Sequence, residues 1–564
     1  MARFVNRAEE LTRLRDCYES DDADMVVIYG RRRLGKTELV HKSLEDRDDA
    51  VLYQATETTR QIQLDAFVDV ATELFPGIDR IAREWESLLG YLTEQDAVIV
   101  LDEFPYLIDA DERLPSVIQR LWDQELRDTG VTLVLVGSSI SMMEAATLLG
   151  NSPLYGRFTE KIDLRQLDFA AARTFFPESD TPEQLLLAWG VFGGTPYSLD
   201  GIELDDDLGR VIQGSLLSRQ GFLHDEPEYV LRTELTEPNR YFAILKAIAA
   251  GNTSSNEIAQ TIGIDGKQIS TYTQQLERLQ LVEREVPVTE DKTKSRRGRY
   301  RILDPLFRFW FRFVYGTEDR YERLGVDAYE TVIEPVLADF VSQEFESRCQ
   351  DILPDCYPDL LFTDIGRWWY NEYEVGVVGV AADGTMVTGE CKFTSTPLGY
   401  SALASLEDHT DEIRWSPDGS EIEHEYALFA RNGVTQSVRD AAADRDDLQL
   451  FGLERIVLHP GDSRLTERVQ ATGIRTVERH EVHRSGRRLY RSRRIAAMPS
   501  RLSRTDRLFT ARVGNVVRGV VESDPVVGVL GLVFLCLFVS GHTILQPSIE
   551  ITLVAADPTW HIMT

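Results

Sequence analysis

Lysine is scarce in this sequence, whereas arginine is abundant. Only eight of the 61 basic residues are lysines, and the remaining 53 are arginines. With 93 acidic residues, the formal net charge is −32. An acidic, lysine-poor surface keeps a protein soluble in a salt-filled cytoplasm, where salt screens the repulsion between its charges. We therefore interpret the acidity as a halophilic adaptation, in preference to a surface that binds basic partners.

Cysteine is also rare, and no two cysteines have the spacing C-x-x-C. Neither a disulfide framework nor a zinc site is therefore indicated. The amino-terminal residues have no apolar core after their charge, so they predict a cytoplasmic location and not a signal peptide. A reducing cytosol fits both features. The five cysteines are Cys17, Cys349, Cys356, Cys391 and Cys536.

A glycine-rich loop near the amino terminus is the first feature with a chemical meaning. Gly30 is followed after four residues by Gly35, Lys36 and Thr37, which matches the pattern G-x-x-x-x-G-K-[ST]. The apolar run before Gly30 predicts a buried strand, and the residues after Thr37 have helical spacing. Strand, loop and helix in this order predict a binding site for the phosphates of ATP, because loop amides and the start of the helix face the anion.

Residues of this loop have separate predicted roles. Lys36 would reach the β- and γ-phosphates, and Thr37 would offer its hydroxyl to Mg²⁺. The three arginines between the glycines are unusual for such a loop, and they are either solvated or steer a partner. The predicted nucleotide contacts in the loop are Gly30, Arg31, Arg32, Arg33, Leu34, Gly35, Lys36, Thr37 and Glu38.

A second predicted strand ends in two acids. The apolar run Ala97–Phe104 carries Asp102 and Glu103 at its carboxyl end. We expect the tip of this strand to be adjacent to the phosphate loop in a parallel sheet. Asp102 would then bind Mg²⁺ through water, and Glu103 would polarise the attacking water.

Three further apolar runs complete a predicted five-stranded sheet with helices between the strands. One of them, residues 131–139, ends at Ser138 and Ser139. A serine at this tip either hydrogen-bonds the γ-phosphate or the water, or it caps the next helix. The other two runs lie at residues 51–54 and 161–164.

Six motifs in this order resemble the archaeal ATPase family, a branch of the AAA-related STAND NTPases. They are FVNRAEEL, GRRRLGKT, VLDEFPYL, VGSSISMM, LYGRFTEKIDL and WGVFGGTPYSL, and the resemblance runs from about Phe4 to about Arg320. The resemblance implies an ATP hydrolase in which Phe4–Arg7 lies near the adenine and Gly193–Pro196 belongs to a helical lid. It also implies that Arg157 is a γ-phosphate-sensing or finger-like arginine. From the residues alone, Arg157 is equally a surface ion-pair partner.

From residue 238 onward the pattern changes to three helices and two short strands. Gly263 and Gly266 bracket the turn between the second and third helices, and a basic loop separates the strands. This order predicts a winged helix, which either contacts DNA with its third helix and its wing or packs against the ATPase. The candidate DNA contacts are Lys267, Lys292, Lys294, Arg296, Arg297 and Arg299.

The next segment resembles the domain of unknown function that follows the ATPase in this archaeal family, which looks like a restriction-endonuclease-type fold. Glu390 and Lys392 fit the E-x-K pattern of that fold, and Glu346 lies on the preceding helix. The resemblance implies that the acids bind Mg²⁺ and that the lysine activates water. Gly376, however, stands where the family pattern has a metal-binding aspartate. Glu374 is a candidate substitute, although its side chain starts about 6–7 Å away along the strand.

We therefore expect a weakened or lost nuclease whose fold remains as a binding or interaction module. Beyond it, the composition becomes basic, with twelve arginines against two acids between residues 479 and 518. A nearly charge-free run follows at 525–545. It approaches the length of about 20 apolar residues that spans a bilayer, so it is a candidate membrane anchor with the arginines in the cytosol. The alternatives are a polybasic tail on anionic lipid and an extension without defined structure.

Together these patterns predict an α/β protein with a P-loop NTPase sheet, a helical lid, a winged helix-turn-helix and a small α/β nuclease-like domain. The predicted function is that of an ATP-binding, Mg²⁺-dependent switch coupled to the winged helix. The alternatives are a DNA-binding regulator with a vestigial ATPase and an ATP-gated nuclease. The predicted segments are 1–170 for the ATPase core, 171–237 for the lid, 238–315 for the winged helix, 316–460 for the nuclease-like domain, 461–524 for an Arg-rich linker and 525–564 for the apolar end.

Overall fold

The structure is a computed structural model that divides the chain into two units, residues 1–474 and 475–564. The predicted Arg-rich linker and the apolar run at 525–545 lie outside the described residues. No helix within the described ranges is long and apolar enough to cross a bilayer. Those ranges are 4–150, 152–177, 180–202, 207–235, 237–415, 422–458, 552–556 and 559–563.

A five-stranded parallel sheet forms the amino-terminal third of the chain, as the sequence predicts. The strand order is β2-β3-β4-β1-β5. Both faces of the sheet are covered, which explains why its strands are continuous apolar runs. The strand that ends in Asp102, β3, is not the immediate neighbour of β1, because β4 lies between them. The strands are β1 Asp24–Tyr29, β2 Ala50–Gln54, β3 Val98–Asp102, β4 Thr132–Gly137 and β5 Glu160–Asp163.

Seven helices accompany this sheet. The first two, which contribute Leu14 and Leu39 to a buried cluster, pack on one face. The helices after β2 contribute Phe67, Leu88 and Ile118 to the larger cluster on the other face. They are α1 Ala8–Tyr18, α2 Lys36–Ser43, α3 Arg60–Thr72, α4 Trp85–Thr93, α5 Phe104–Ala110, α6 Leu114–Gln124 and α7 Ile140–Met143.

A helical region and a three-helix module follow the sheet. In the module, Ser254 and Glu257 form a capping box that fixes the start of its second helix. The two strands of the module pair antiparallel. The helical region contains α8 Phe169–Arg173, α9 Pro182–Phe192, α10 Pro196–Asp200, α11 Leu208–Ile212 and α12 Glu226–Glu234. The module contains α13 Pro238–Ala249, α14 Ser255–Ile262, α15 Gly266–Arg278, β6 Val282–Glu285 and β7 Arg299–Ile302.

The remaining strands of the first unit form a second sheet, in which some neighbouring strands are parallel and others antiparallel. Its order is β12-β11-β10-β9-β8, with β8, β9 and β10 antiparallel and β10, β11 and β12 parallel. The elements are α16 Pro305–Phe309, α17 Glu318–Leu324, α18 Glu334–Asp351, α19 Leu353–Cys356, β8 Phe362–Tyr370, β9 Tyr373–Ala381, β10 Met386–Lys392, α20 Tyr400–Thr410, β11 His424–Ala430, α21 Gln436–Ala443, β12 Leu448–Gly452 and α22 Leu453–Leu458. In the second unit, β13 Thr552–Ala556 and β14 Thr559–Met563 form a hairpin.

One apolar cluster runs from the parallel sheet through the helical region and the module into the second sheet. The aromatic segment 306–316 lies within it, and the indole of Trp310 donates a 2.6 Å hydrogen bond to the carbonyl of His224. Helices α9 and α18 approach closely, since a Cβ on Gly190 would lie 2.7 Å from Val341. The segments of the chain up to residue 458 therefore share this cluster, while the other face of each large sheet has a smaller cluster of its own.

Gly194, just after α9, provides a test of this packing. A Cβ there would lie 2.0 Å from the carbonyl oxygen of Leu167. This oxygen belongs to the backbone, so it has little room to move. We expect Gly194→Ala to lower the free energy of unfolding by about 3 kcal/mol, measured by denaturant titration of the full chain. The matched control is Gly214→Ala, whose Cβ meets no atom within 4 Å. Equal stability of the two variants would contradict this packing.

Candidate functional site

The loop between β1 and α2 depends on its two glycines. At Gly30, φ is +152°, and a Cβ would lie 2.2 Å from the carbonyl oxygen of Leu164 beyond β5. Gly35 has φ +85° and forms the N-cap of α2. Both values favour glycine, which has no Cβ to clash in this conformation. The loop is consequently held against the carboxyl edge of the sheet with α2 starting at its end.

Lys36 is buried at the first position of α2. Its ammonium donates hydrogen bonds of 2.9 Å to the carbonyls of Gly30 and Arg31, so it turns back over the loop. Burial lowers the pKa of Lys36 to about 8, against the opposing effects of Glu103 and Asp102. A buried cation facing a glycine loop is well suited to bind an anion.

The Thr37 hydroxyl connects the loop to the end of β3. It donates a 2.8 Å hydrogen bond to Oδ2 of Asp102, and Oδ1 of Asp102 accepts from the amide of Glu103 at 2.9 Å. Burial raises the pKa of Asp102, while the hydrogen bond from Thr37 lowers it. The predicted metal ligands, Thr37 and Asp102, are thus in direct contact. A hydroxyl and a carboxylate are oxygen ligands of the kind that Mg²⁺ prefers, so the donor set fits that ion.

Glu103 is turned toward the end of β4. Its backbone is left-handed, with φ +52°, which is uncommon for a residue with a side chain. The Ser138 hydroxyl donates a 2.7 Å hydrogen bond to Oε1 of Glu103, and the Ser138 amide lies 3.4 Å from Oε2. Because β4 lies between β3 and β1 in the sheet, Ser138 at the end of β4 lies between the end of β3 and the phosphate loop. Ser139 accepts from the Met142 amide and caps α7, which was the alternative predicted for this pair of serines.

Arg31 of the loop forms a buried ion pair with Asp304, at 2.8 Å. Asp304 follows β7 and caps α16 by accepting from the Leu306 amide at 2.9 Å. The guanidinium of Arg31 also lies 5.0 Å from the ring centroid of Phe307. The side chain of Arg31 is therefore neither solvated nor aimed at a partner protein, and it joins the loop to the end of the three-helix module.

The other two loop arginines contact the helical region. Arg32 donates to the hydroxyls of Tyr106 at 2.8 Å and Tyr229 at 2.9 Å. Arg33 pairs with Glu226 at 2.9 Å. Both Tyr229 and Glu226 belong to α12, so this helix lies across the loop.

Glu234, at the last position of α12, is a site residue that the sequence did not indicate. Its Oε2 accepts from the Ser139 hydroxyl at 3.4 Å, and its Oε1 is buried with no hydrogen-bond partner among the described residues. Burial raises the pKa of Glu234 to about 7, and the amides of Ile140 and Ser141, the Ser139 hydroxyl and Lys36 lower it. No local pattern marks this glutamate, because its partners lie about 100 and 200 residues away in the sequence.

Other predicted loop and edge residues lie apart from this cluster. Arg157 precedes β5, at the opposite edge of the sheet from the phosphate loop, and pairs with Asp123 at 2.8 Å. The structure does not bring it to Lys36 of the same chain. Leu34 is buried in the apolar cluster beneath the loop, and Glu38 is exposed.

The predicted DNA-binding residues divide into two groups. Arg297 donates a 3.0 Å hydrogen bond to the carbonyl of Trp369 on β8, and Arg299 forms a 2.9 Å ion pair with Glu374 on β9. These two arginines therefore contact the second sheet and are only partly exposed. The residues that remain exposed are Lys267, Lys292, Lys294 and Arg296.

An arginine lies among the predicted nuclease acids. Arg367 on β8 contacts Glu346 at 2.6 Å and Glu374 at 2.5 Å. A Cβ on Gly376 would lie 2.8 Å from the carboxylate of Glu346, so an aspartate at this position would displace Glu346. The guanidinium thus neutralises the charges that a metal ion would otherwise balance.

The predicted E-x-K residues contact each other on β10. Lys392 forms an ion pair with Glu390. Among the residues that the structure describes, no group of three or more His, Cys, Asp or Glu side chains is arranged to hold a metal ion. In the structure, the predicted E-x-K residues therefore form an ion pair with each other.

Comparison with known proteins identifies related sequences. Residues 4–202 match a family described as an ATPase domain predominantly from Archaea, and residues 310–404 match one described as archaea bacterial proteins of unknown function. The uncharacterized protein MJECL04 of Methanocaldococcus jannaschii is 34% identical over 395 residues, which cover 67% of this chain and 84% of that protein. The uncharacterized ATP-binding protein MJ0423 of the same organism is 48% identical over 44 residues, 8% of this chain and 75% of that protein.

Among solved structures, the Aeropyrum pernix ORC2 protein in its ADPNP–ADP complexes is 14% identical and covers 54% of this chain and 92% of its own. Its TM-score of 0.35 is too low to support any conclusion. With the ATPase domain matched over residues 4–202 and an archaeal relative matched over most of its length, the chain belongs to the archaeal ATPase family.

Proposed function

We propose that the protein hydrolyses ATP with Mg²⁺ and uses the nucleotide to switch the position of a winged helix, the module Pro238–Ile302. One observation supports this most strongly: Lys36, Thr37, Asp102 and Glu103 lie together at one edge of the sheet, with Thr37 hydrogen-bonded to Asp102. In this proposal Lys36 binds the phosphates, and Thr37 and Asp102 hold Mg²⁺, which neutralises phosphate charge when bound.

Glu103 is the residue that would polarise the attacking water. In the structure it accepts a hydrogen bond from Ser138, and in this scheme its carboxylate turns from this serine toward a water beside the γ-phosphate. The serine hydroxyl is then free to donate to the phosphate or to the water. Hydrolysis in this scheme therefore requires a local rearrangement of the β4 tip, which separates nucleotide binding from turnover.

Coupling to the winged helix rests on the Arg31–Asp304 ion pair. Arg31 lies inside the phosphate loop, and Asp304 lies two residues after β7. A phosphate that attracts the Arg31 guanidinium would weaken this pair and release the end of the winged helix. The loop and the module therefore compete for one guanidinium, which is how a bound nucleotide would change the position of the module.

Two substitutions test ATP hydrolysis. We expect Lys36→Ala to abolish nucleotide binding, and Glu103→Gln to bind ATP but to hydrolyse it about 100-fold more slowly. In molar KCl, calorimetry measures nucleotide binding, and phosphate release measures the rate of ATP hydrolysis. The control is Lys42→Ala, which removes a half-exposed lysine, paired with Glu45, from the same helix. Unchanged turnover in Glu103→Gln would contradict the role of this carboxylate.

The coupling is tested by hydrogen exchange with and without a non-hydrolysable ATP analogue. We expect the analogue to change exchange at β7 and α16 in the wild type and to leave it unchanged in Asp304→Asn. This variant leaves Arg31 buried without its counter-charge, at a cost of about 3–5 kcal/mol. Arg31→Gln serves as the second variant, because Asp304 then keeps its hydrogen bond from Leu306. A nucleotide response that survives both substitutions would exclude this route.

A second candidate function is DNA binding by the winged helix with a vestigial ATPase. The exposed basic residues at the start of α15 and in the wing favour it. We expect neutralisation of Lys292, Lys294 and Arg296 to weaken DNA affinity and to reduce its salt dependence. Fluorescence anisotropy over a salt series measures both, and Arg80→Gln with Arg414→Gln removes exposed charge elsewhere as the control. Equal loss in the control would indicate general electrostatics.

The third alternative, an ATP-gated nuclease, is disfavoured by the position of Arg367. Its positive charge balances the negative charges of Glu346 and Glu374, the acids that would otherwise hold Mg²⁺. We expect no metal-dependent nicking of plasmid DNA by the wild type, with or without ATP. Nicking that disappears in Lys392→Ala would support a nuclease and overturn this interpretation.

A further inference from the structure

Helix α12 contacts the phosphate site at three points along its length. Glu226 at its start pairs with Arg33, Tyr229 in its middle accepts from Arg32, and Glu234 at its end accepts from Ser139. The first two contacts hold the helix over the loop. The third places a carboxylate beside the tip of β4, where the γ-phosphate end of the proposed site lies.

The surroundings of Glu234 resemble those of a bound phosphate oxygen. The groups that stabilise its charge are the Ser139 hydroxyl, the amides of Ile140 and Ser141 at the start of α7, and the ammonium of Lys36. A hydroxyl, backbone amides and a lysine are the donors that phosphoryl groups use in proteins. The second carboxylate oxygen, Oε1, is buried and has no partner among the described residues.

We propose that Glu234 determines the preference of the site between nucleoside diphosphate and nucleoside triphosphate, because its carboxylate takes the position and the donors of the terminal phosphate. This inference rests on the proposed function, since it requires nucleotide at the loop. A diphosphate bound by the loop amides leaves Glu234 in place. A triphosphate brings a second anion to the same donors and must displace the carboxylate.

Displacement of Glu234 has a direct structural consequence. Only residues 235–237 separate the end of α12 from the start of α13, the first helix of the module. A triphosphate that expels Glu234 therefore moves the end of α12 and the start of α13 together. The γ-phosphate acquires a second route to the winged helix, independent of Arg31.

The experiment compares the affinities of the full chain for ADP and for the β,γ-imido analogue of ATP, both with Mg²⁺, by calorimetry in molar KCl. We expect Glu234→Gln to tighten the triphosphate analogue about tenfold or more and to change ADP affinity less than about twofold, because buried charges are only weakly screened by salt. The matched control is Glu228→Gln, which removes the same charge from the solvent side of α12, where Glu228 pairs with Arg232. We expect it to change neither affinity.

The outcomes separate this inference from the proposed function. Equal effects of Glu234→Gln on both nucleotides, or none, would overturn the inference while leaving nucleotide binding intact. If neither the wild type nor the variant binds nucleotide, the proposed function fails and the inference fails with it. Should Glu234→Gln not fold, Glu234→Asp withdraws the carboxylate by one methylene, and a smaller shift in the same direction is expected. An opposite shift would contradict the inference.

Discussion

The buried ion pair between Arg31 and Asp304 is the interaction on which the arrangement of the chain depends. It joins residues 273 positions apart, one in the phosphate loop and one between the three-helix module and α16. Two charges removed from water cost several kcal/mol of desolvation, and their attraction often no more than balances that cost. Such a pair is therefore poorly explained by stability alone. It is well explained if the guanidinium has a second partner, because a phosphate in the loop is an anion that can pair with Arg31 in place of Asp304.

In the structure, the polar groups around the phosphate loop bind one another. A bound nucleotide would replace these contacts. Lys36 donates to two loop carbonyls, Ser138 holds Glu103, and Glu234 lies near Lys36 and the start of α7. Each of these contacts uses a donor or an acceptor that the proposed chemistry needs. Nucleotide binding would then exchange these internal contacts for contacts with phosphate and metal. The affinity for nucleotide would reflect the difference in free energy between the internal contacts and the nucleotide contacts, and not the nucleotide contacts alone.

The sequence predicted the local features and missed the long-range ones, for a physical reason. The five strands and the phosphate loop follow from continuous apolar runs and from glycine spacing, which are properties of neighbouring residues. The order of the strands is a property of the whole sheet, and so the insertion of β4 between β1 and β3 was not foreseen. The three loop arginines were noticed, but their partners lie far away along the chain. Glu234 carries no local signal, since a single glutamate at the end of an amphipathic helix is ordinary.

In the second sheet, the acids that the sequence compares with a nuclease site are held by arginines. At Gly376, the absence of a side chain leaves space that Glu346 occupies, and Arg367 lies within reach of both Glu346 and Glu374. Glu374 also pairs with Arg299 of β7, so the acids bind arginines from two elements. A guanidinium is always charged and offers several donors in one plane, so it balances two carboxylates without the exact coordination geometry that Mg²⁺ requires. Strand β7 is thereby attached to the second sheet, and any movement of β7 must either carry this sheet with it or break the Arg299–Glu374 pair.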